Sequence, residues 1–324
     1  MVMRHILVNR FGGPEVLEVD KAPDPLPGPG KVVVGMSAVD IIFLDTLLRS
    51  GAGKDYFPLR PPYVPGHGGT GLVIAVGEGV DAGWLGRRVA VGTSDGGYAE
   101  QIAVAVEELA PVPDGLGLPE AAAILHDGPT AVNITDVAEI KEGAWVLVTA
   151  AAGGTGVLVV QLARAAGAHV VAAARGARKL ELAREAGAEE AFDYTEAGWT
   201  DRVRAVTGGS GADVVLDGAG GQLGSEAFEA VAHGGRFVSY GTSNGFAHVD
   251  PHTAQQRGIR TISLMDLNNA AAGQTKELVE RALALAADGR IRPVIGQTFP
   301  LEQAADAHAA IAARSALGKT LLVL

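Results

Sequence analysis

The rhythm of hydrophobic positions along this chain changes near residue 121. Up to that point, short apolar runs sit between Gly/Pro clusters: HILVNRFGGPE, APDPLPGPGKVVVGMSAV, GLVIAVGEGV, RRVAVG and GGYAEQIAV. Runs of this length, broken so often by turn residues, predict short strands in a mostly β, barrel-like domain. Beyond it, apolar runs of strand length alternate with stretches of helical period. WVLVT (from Trp145), HVVAAA (from His169), EEAFDY (from Glu189), ADVVLD (from Ala212), GRFVSYG (from Gly235) and IRTISL (from Ile259) predict strands. GVLVVQLARAA, RKLELAREAGA, WTDRVRAVTG and QLGSEAFEAVAHG, lying between the first five, predict helices. Alternation of this kind calls for a parallel sheet covered on both faces. TKELVERALALAADGR predicts one more amphipathic helix, and GKTLLVL a return to strand. The expected architecture is therefore α/β. A β-rich domain covers residues 1–121, a doubly wound parallel-sheet domain 122–266, and the segment 267–324 goes back to the first domain.

One strand-to-helix junction carries chemistry. WVLVT runs into AAAGGTGVLVVQLARAAGA, from Ala150 to Ala168. Ala151, Gly153 and Gly156 fall at the three small positions of a dinucleotide-binding turn, with Gly154 and Thr155 among them. Small residues let the backbone approach a pyrophosphate and let the helix begin close to the strand. The helix N-terminus then offers free N–H groups and a partial positive charge. About 20 residues on, an NAD-preferring turn places an acid against the ribose 2′-hydroxyl. Here HVVAAA ends in Arg175, followed by Arg178 and Lys179, with no acid until Glu181. A guanidinium at that point suits a 2′-phosphate, which points to NADPH.

Composition narrows the remaining classes. Acidic side chains outnumber basic ones by 37 to 26, for a net charge of −11. That balance repels phosphate backbones and anionic lipid, so neither nucleic acid nor membrane is an expected partner. The chain has no cysteine, which excludes disulfides, iron–sulfur clusters, thiolate zinc sites and cysteine nucleophiles. No apolar run approaches the roughly 20 residues of a membrane helix. MVMRHILVNRFGG is too short in apolar length for a signal peptide and reads as a first strand. A cytoplasmic enzyme acting on a small molecule is expected.

With these pieces in place, the whole chain resembles the quinone oxidoreductase (zeta-crystallin-like) branch of the zinc-independent medium-chain dehydrogenase/reductases. AAAGGTGVLVVQLAR carries most of the likeness, through its alanines, glycines, Gln161 and Arg164. PGHGGTGLVIAVGEGV, DTLLRSG, DGPTAV, VVLDGAGG and VSYGTSNG support it. The resemblance implies a GroES-like catalytic domain plus a Rossmann domain, an active site in the cleft between them, and dimers formed along the last Rossmann strand near IRTISLM. It assigns the 2′-phosphate to Lys179, Tyr194 and Arg314, beside the independently read Arg175. It sets Asp217, Gly218 and Ala219 near the adenosine and ribose, and Gly241, Thr242 and Thr130 near the nicotinamide.

Departures from the family pattern bear on the chemistry. Ile42 stands where zinc-dependent relatives carry a cysteine and many quinone reductases an asparagine. His67, in PGHGG, holds the histidine position, but Gly68 replaces the glutamate that usually follows. His126, in ILHDG, falls close to the last ligand position. Leu47 and Leu264 replace a tyrosine and an arginine of the substrate cleft. Ile42, Leu47, Tyr56 and Leu264 are accordingly the candidate substrate-pocket residues, with Phe57 and Tyr63 on the same loop as Tyr56. His67, His126 and a distant Asp45 make a thin case for zinc, which takes three protein ligands in catalytic sites; no metal is expected. The catalytic candidates are His126, Thr130, His67 and Asp45, with His126 favoured as substrate contact because it opens the HDGPT stretch that also holds Thr130.

The activity so implied is hydride transfer from NADPH to a quinone or an α,β-unsaturated carbonyl, without zinc. Alternatives are an enoyl reductase tailoring a natural product, a zinc-type alcohol dehydrogenase, and a non-catalytic, crystallin-like NADPH-binding protein.

Overall fold

The computed structural model describes residues 2–52, 57 and 59–324. The chain divides into two compact units. The first comprises Met1–His126, Val279–Ala287 and Pro293–Leu324, and the second Asp127–Leu278 and Asp288–Arg292.

The first unit opens with a hairpin, β1 (Val2–Val8) against β2 (Leu17–Pro23), in antiparallel register. The long strand β3 (Lys31–Asp40) follows and is buried along most of its length. It leads into α1 (Phe43–Ser50). The Asp45 carboxylate reaches back to the Ile42 N–H at 2.9 Å, satisfying a donor that the first turn of a helix otherwise leaves unpaired. Then come β4 (Gly68–Val76), β5 (Arg88–Gly92), β6 (Gln101–Ala105) and β7 (Leu109–Pro111), followed by α2 (Leu118–Ile124). Ile6, Val8, Val32, Val34, Val73, Val89, Val91 and Leu109 form its core. These are the short, turn-bounded strands that the N-terminal apolar runs predict.

The second unit begins with α3 (Asp127–Ala138) and then alternates as its sequence pattern predicts. Its strands are β8 (Trp145–Thr149), β9 (His169–Ala174), β10 (Glu190–Asp193), β11 (Ala212–Asp217), β12 (Val231–Ser239) and β13 (Arg260–Ile262). Between them run α4 (Gly154–Ala165), α5 (Ala177–Glu185), α6 (Trp199–Val206), α7 (Gly221–Glu229) and α8 (Pro251–Gln256). All strand pairs are parallel and the order is β10-β9-β8-β11-β12-β13. The winding direction reverses between β8 and β11, and open sheets of this kind bind ligands at the carboxyl ends flanking such a switch point.

Two stretches differ from their sequence pattern. QLGSEAFEAVAHG is helical only as far as Glu229, because Val231 pairs with Ala212 and draws the following residues into β12. IRTISL is strand only to Ile262. The Ser263 hydroxyl there accepts the Asp266 N–H while the Asp266 carboxylate accepts the Ser263 N–H, a capping box that starts α9 (Leu264–Ala271). After α10 (Thr275–Ala287), β14 (Ile295–Pro300), α11 (Ala304–Ala312) and β15 (Lys319–Val323) complete the chain. β15 lies antiparallel to β3 in the first unit, with Leu321 across from Asp40.

Candidate active site

In the second unit, the carboxyl end of β8 meets the glycine turn. Ala150 takes a left-handed φ of 51°, and its carbonyl accepts the Gly153 N–H at 2.9 Å. Gly153 then serves as N-cap of α4 with no side-chain oxygen to occupy the helix N–H groups. A Cβ on Gly156 would lie 2.3 Å from the Ala150 oxygen and 2.9 Å from the Ala151 Cα, so only glycine lets α4 start this close to β8. Across the switch point, buried Asp217 accepts the Thr149 hydroxyl at 2.7 Å and the N–H groups of Ala219 and Gly220, each at 3.1 Å. Burial pushes its carboxyl up, against the downward pull of those donors. The Gly241 N–H bonds to the Asp217 carbonyl, and a Cβ on Gly241 would lie 1.9 Å from the Gly218 oxygen. Beside them the buried Tyr240 hydroxyl has no hydrogen-bond partner among the described residues. An open helix N-terminus, a floor of glycines and a donor in want of a partner suit a dinucleotide laid over the carboxyl edge.

The next strands supply the basic corner. Arg175 follows β9 and is exposed, Lys179 lies in the first turn of α5, and half-buried Tyr194 follows β10. The backbone ties these ends together, since the Tyr194 N–H donates to the Ala174 carbonyl. Asp193 also comes to this corner, a neighbour the local sequence around Arg175 does not reveal. Both of its oxygens are engaged: one takes the Gly176 N–H at 2.7 Å, the other the Thr195 N–H and hydroxyl. Burial opposes its charge, but those donors and Arg175 outweigh it and hold the carboxyl below the usual range. Arg314 belongs to the first unit, exposed just past α11 with a left-handed φ of 54°.

The first unit brings two aspartate–histidine pairs face to face. His67 donates from Nδ1 to Asp45 at 2.8 Å, and His126 from Nδ1 to Asp40 at 2.9 Å. The carboxylates accept only, so each imidazole carries its proton on Nδ1. The two rings stand edge to face with centroids 6.5 Å apart. Behind His67, Asp45 also accepts the Tyr98 hydroxyl at 3.2 Å, and Tyr98 lies 3.0 Å from Nε2 of His308. Burial, then the Asp45 charge, raises the Tyr98 phenol far above its ordinary range. Behind His126, Asp40 is also bound by the Lys319 ammonium at 3.0 Å. Burial disfavours the Asp40 charge, yet His126 and Lys319 together hold its carboxyl well below the normal range.

Next to His67 lies a cavity of about 240 Å³, lined by Leu48, Phe57, Leu59, Tyr63 and Pro65 together with Asp45, Ser94 and Asp95. Tyr63, on the same loop as Tyr56 in the sequence, is buried and bridged to Val8, and burial pushes its phenol up to about 12.

Of the remaining candidates, Ile42 and Leu47 are half-buried at the start and middle of α1, beside Asp45. Thr130 is exposed on α3 and Leu264 is half-buried at the start of α9, both in the second unit. Tyr56 lies outside the described residues. Asp40, Tyr98, His308 and Lys319 belong to the site without any local sequence signal, because their partners are far away along the chain. Among the described residues no three His, Asp or Glu side chains converge as a metal site would require.

A GroES-like β-rich unit and, in the same chain, a parallel unit with a glycine turn at its switch point define the medium-chain dehydrogenase/reductase class. Residues 28–114 match the model of the alcohol dehydrogenase GroES-like domain, and residues 186–322 that of a zinc-binding dehydrogenase. The chain is 34% identical to a quinone oxidoreductase of Pseudomonas aeruginosa over 99% of both sequences. Its fold matches the Escherichia coli quinone oxidoreductase solved in complex with NADPH, with a TM-score of 0.90 at 29% identity, over 99% of this chain and 100% of that one. It also matches a protein solved as an NAD-dependent alcohol dehydrogenase, with a TM-score of 0.89 at 32% identity over 99% and 100%. The chain belongs to the quinone oxidoreductase branch of the medium-chain dehydrogenase/reductases.

Proposed function

We propose that this protein is an NADPH-dependent oxidoreductase that passes a hydride to a quinone or to an α,β-unsaturated carbonyl compound without using zinc. The observation that carries the cofactor reading is the open glycine turn at the switch point with Arg175, Lys179 and Tyr194 beside it. Asp193, the carboxylate tied to the backbone there, has both oxygens occupied by Gly176 and Thr195. The NADPH complex of the Escherichia coli relative supports the same choice.

Bound NADPH supplies the hydride. The protein's share is to hold the cofactor on the turn, with Ala151, Gly153, Gly154, Thr155, Gly156, Asp217, Gly218, Ala219, Gly241 and Thr242 as its bed. Thr130 is assigned to the nicotinamide end, and Arg314 joins the 2′-phosphate contacts. The acceptor is taken up beside His67, where the cavity is mostly apolar. Ile42 and Leu47 on α1 and Leu264 on α9 are assigned to the substrate pocket. The ionisable groups among the described lining residues are Asp45, Asp95, His67 and Tyr63, with no lysine or arginine. That lining favours a neutral conjugated acceptor over an enoyl thioester on a phosphorylated carrier. When the acceptor is an enone, hydride addition leaves an enolate that needs a proton, and His126 is assigned as the donor. Asp40 outweighs the effect of burial and raises the His126 pKa, which keeps a proton available near neutral pH.

Zinc independence rests on Ile42, which has no lone pair to offer, and on the absence of cysteine. A saturated ketone would need the Lewis acid that such a site lacks. The edge position of β13 supports pairing with a second copy of the chain. No helix among the described residues is long and apolar enough to cross a membrane, and the cytoplasm is the proposed location.

The cofactor reading is tested by titrating the protein with NADPH and NADH under fluorescence detection. NADPH should bind at least about tenfold more tightly, as one charged hydrogen bond of 1.5–3 kcal/mol provides. Arg175→Ala should weaken NADPH and leave NADH nearly unchanged. Equal affinities in the unaltered protein would refute it.

A further inference from the structure

Asp40, the last residue of β3, has no exposed side-chain surface. A single oxygen, Oδ2, serves both His126 and Lys319. Lys319 opens β15, and its side chain is only 5% exposed. Leu321 lies across from Asp40 in the antiparallel ladder. Residues two apart on a strand share a face, so Lys319 is directed to the same side of the sheet as Asp40. A lysine and a carboxylate are rarely buried unless they serve each other. Here the pair is arranged around an imidazole that is itself 30% exposed, with a second imidazole, His67, edge-on to it.

The charges at this point oppose one another. The carboxylate alone would bind the imidazolium and hold its proton too firmly. The ammonium, sharing the same oxygen, already balances the carboxylate, so His126 can lose a proton without stranding a bare buried anion. Because Nδ1–H is fixed on Asp40, the proton that comes and goes is the one on Nε2.

We propose that Asp40 and Lys319 are positioning residues that act on His126 with opposite sign, the carboxylate fixing its tautomer and holding its proton, the ammonium loosening that hold. This deepens the assignment of His126 as proton donor and rests on it for its role in turnover. The groups facing His126 are Asp40 on β3, Lys319 on β15, Asp45 on α1 and His67 just before β4. Of these, Asp40 and Asp45 favour the charged imidazole, while Lys319 and burial disfavour it.

The test uses the full-length protein and its Asp40→Asn, Lys319→Met and doubly substituted forms. The His126 imidazole is followed by proton–nitrogen correlation spectra across pH, its signal assigned by loss in His126→Gln. The pH dependence of kcat/KM with NADPH and a conjugated enone is measured alongside. Asp40→Asn should move the His126 titration to lower pH, Lys319→Met should move it to higher pH, and the double variant should fall between the two single variants. Should Asp40→Asn fail to fold, Lys319→Met decides the sign alone. Titrations that stay in place, or that move the same way in both single variants, overturn the proposal. The rate profile separates the two readings. If the alkaline limb of kcat/KM follows the titration, and His126→Ala loses about 100-fold, the donor role stands. If the titration moves as stated while the rate profile does not, the positioning by Asp40 and Lys319 stands and His126 is not the donor.

Discussion

His308 is buried completely and touches solvent nowhere. Its Nε2 lies 3.0 Å from the Tyr98 hydroxyl, which itself donates to Asp45. The Tyr98 oxygen has one proton, so Nε2 of His308 must be the donor in their contact and Nδ1 is left as a bare lone pair. No described group faces that Nδ1, and a second proton there would have no partner. Burial accordingly lowers the His308 pKa to about 4. The unfolded chain, with an ordinary histidine near 6.5, binds more protons than the folded one between these values. Stability contributed by neutral His308 is therefore full above about pH 6.5 and lost as pH falls toward about 4, on the order of 3 kcal/mol across the window. Melting curves from pH 4 to 7 should show a shallower decline for His308→Gln than for the unaltered protein; parallel curves would contradict this. None of this was legible locally. Tyr98 and His308 are 210 residues apart and Asp40 and His126 are 86 apart, and no short motif announces a pair that only the tertiary fold assembles. His67, His126 and Asp45 were legible because they sit in short stretches resembling a known family. That resemblance singles out the histidines without showing which carboxylate each one meets.

At the scale of elements, the junction of β8 with α4 separates two roles that the glycine pattern runs together. Gly156 is a packing residue, since its Cβ would strike backbone atoms that cannot move aside. Gly153 is exposed, and a Cβ there would meet only the Ala150 oxygen at 3.3 Å. Its backbone angles, φ −79° and ψ 170°, are open to any residue. Gly156→Ala should lower stability by about 1–3 kcal/mol, the usual scale of overpacking. Gly153→Ala should melt close to the unaltered protein yet bind NADPH more weakly, because a methyl group would stand where the pyrophosphate approaches. Thermal melts with cofactor titrations check both, and a Gly153→Ala protein that binds NADPH normally would move the pyrophosphate elsewhere. The strand and helix alternation of this unit was readable because its buried strands are short apolar runs of β-branched and small residues. The end of α7 was not, because Val231 and Ala232 suit a helix as well as a strand until Val231 finds Ala212. The start of α9 was written in Ser263 and Asp266, a capping signal easily passed over when the preceding residues read as strand.

At the scale of the molecule, the two units divide the chemistry. The second carries the parallel sheet and the basic corner, the first the apolar cavity and the paired imidazoles. The acidic surface implied by a net charge of −11 makes the basic corner at Arg175 and Lys179 a local exception, which suits one small phosphorylated ligand rather than a polymer. Zinc-free hydride transfer from NADPH is tested by acceptor-dependent oxidation of NADPH with protein treated exhaustively with a chelator and checked for zinc by elemental analysis. A single-ring quinone and a conjugated enone should be reduced, one NADPH consumed per product, at the same rate before and after chelation and with well below one zinc per chain. Stoichiometric zinc together with turnover that chelation abolishes, or no acceptor-dependent oxidation of NADPH at all, would contradict it.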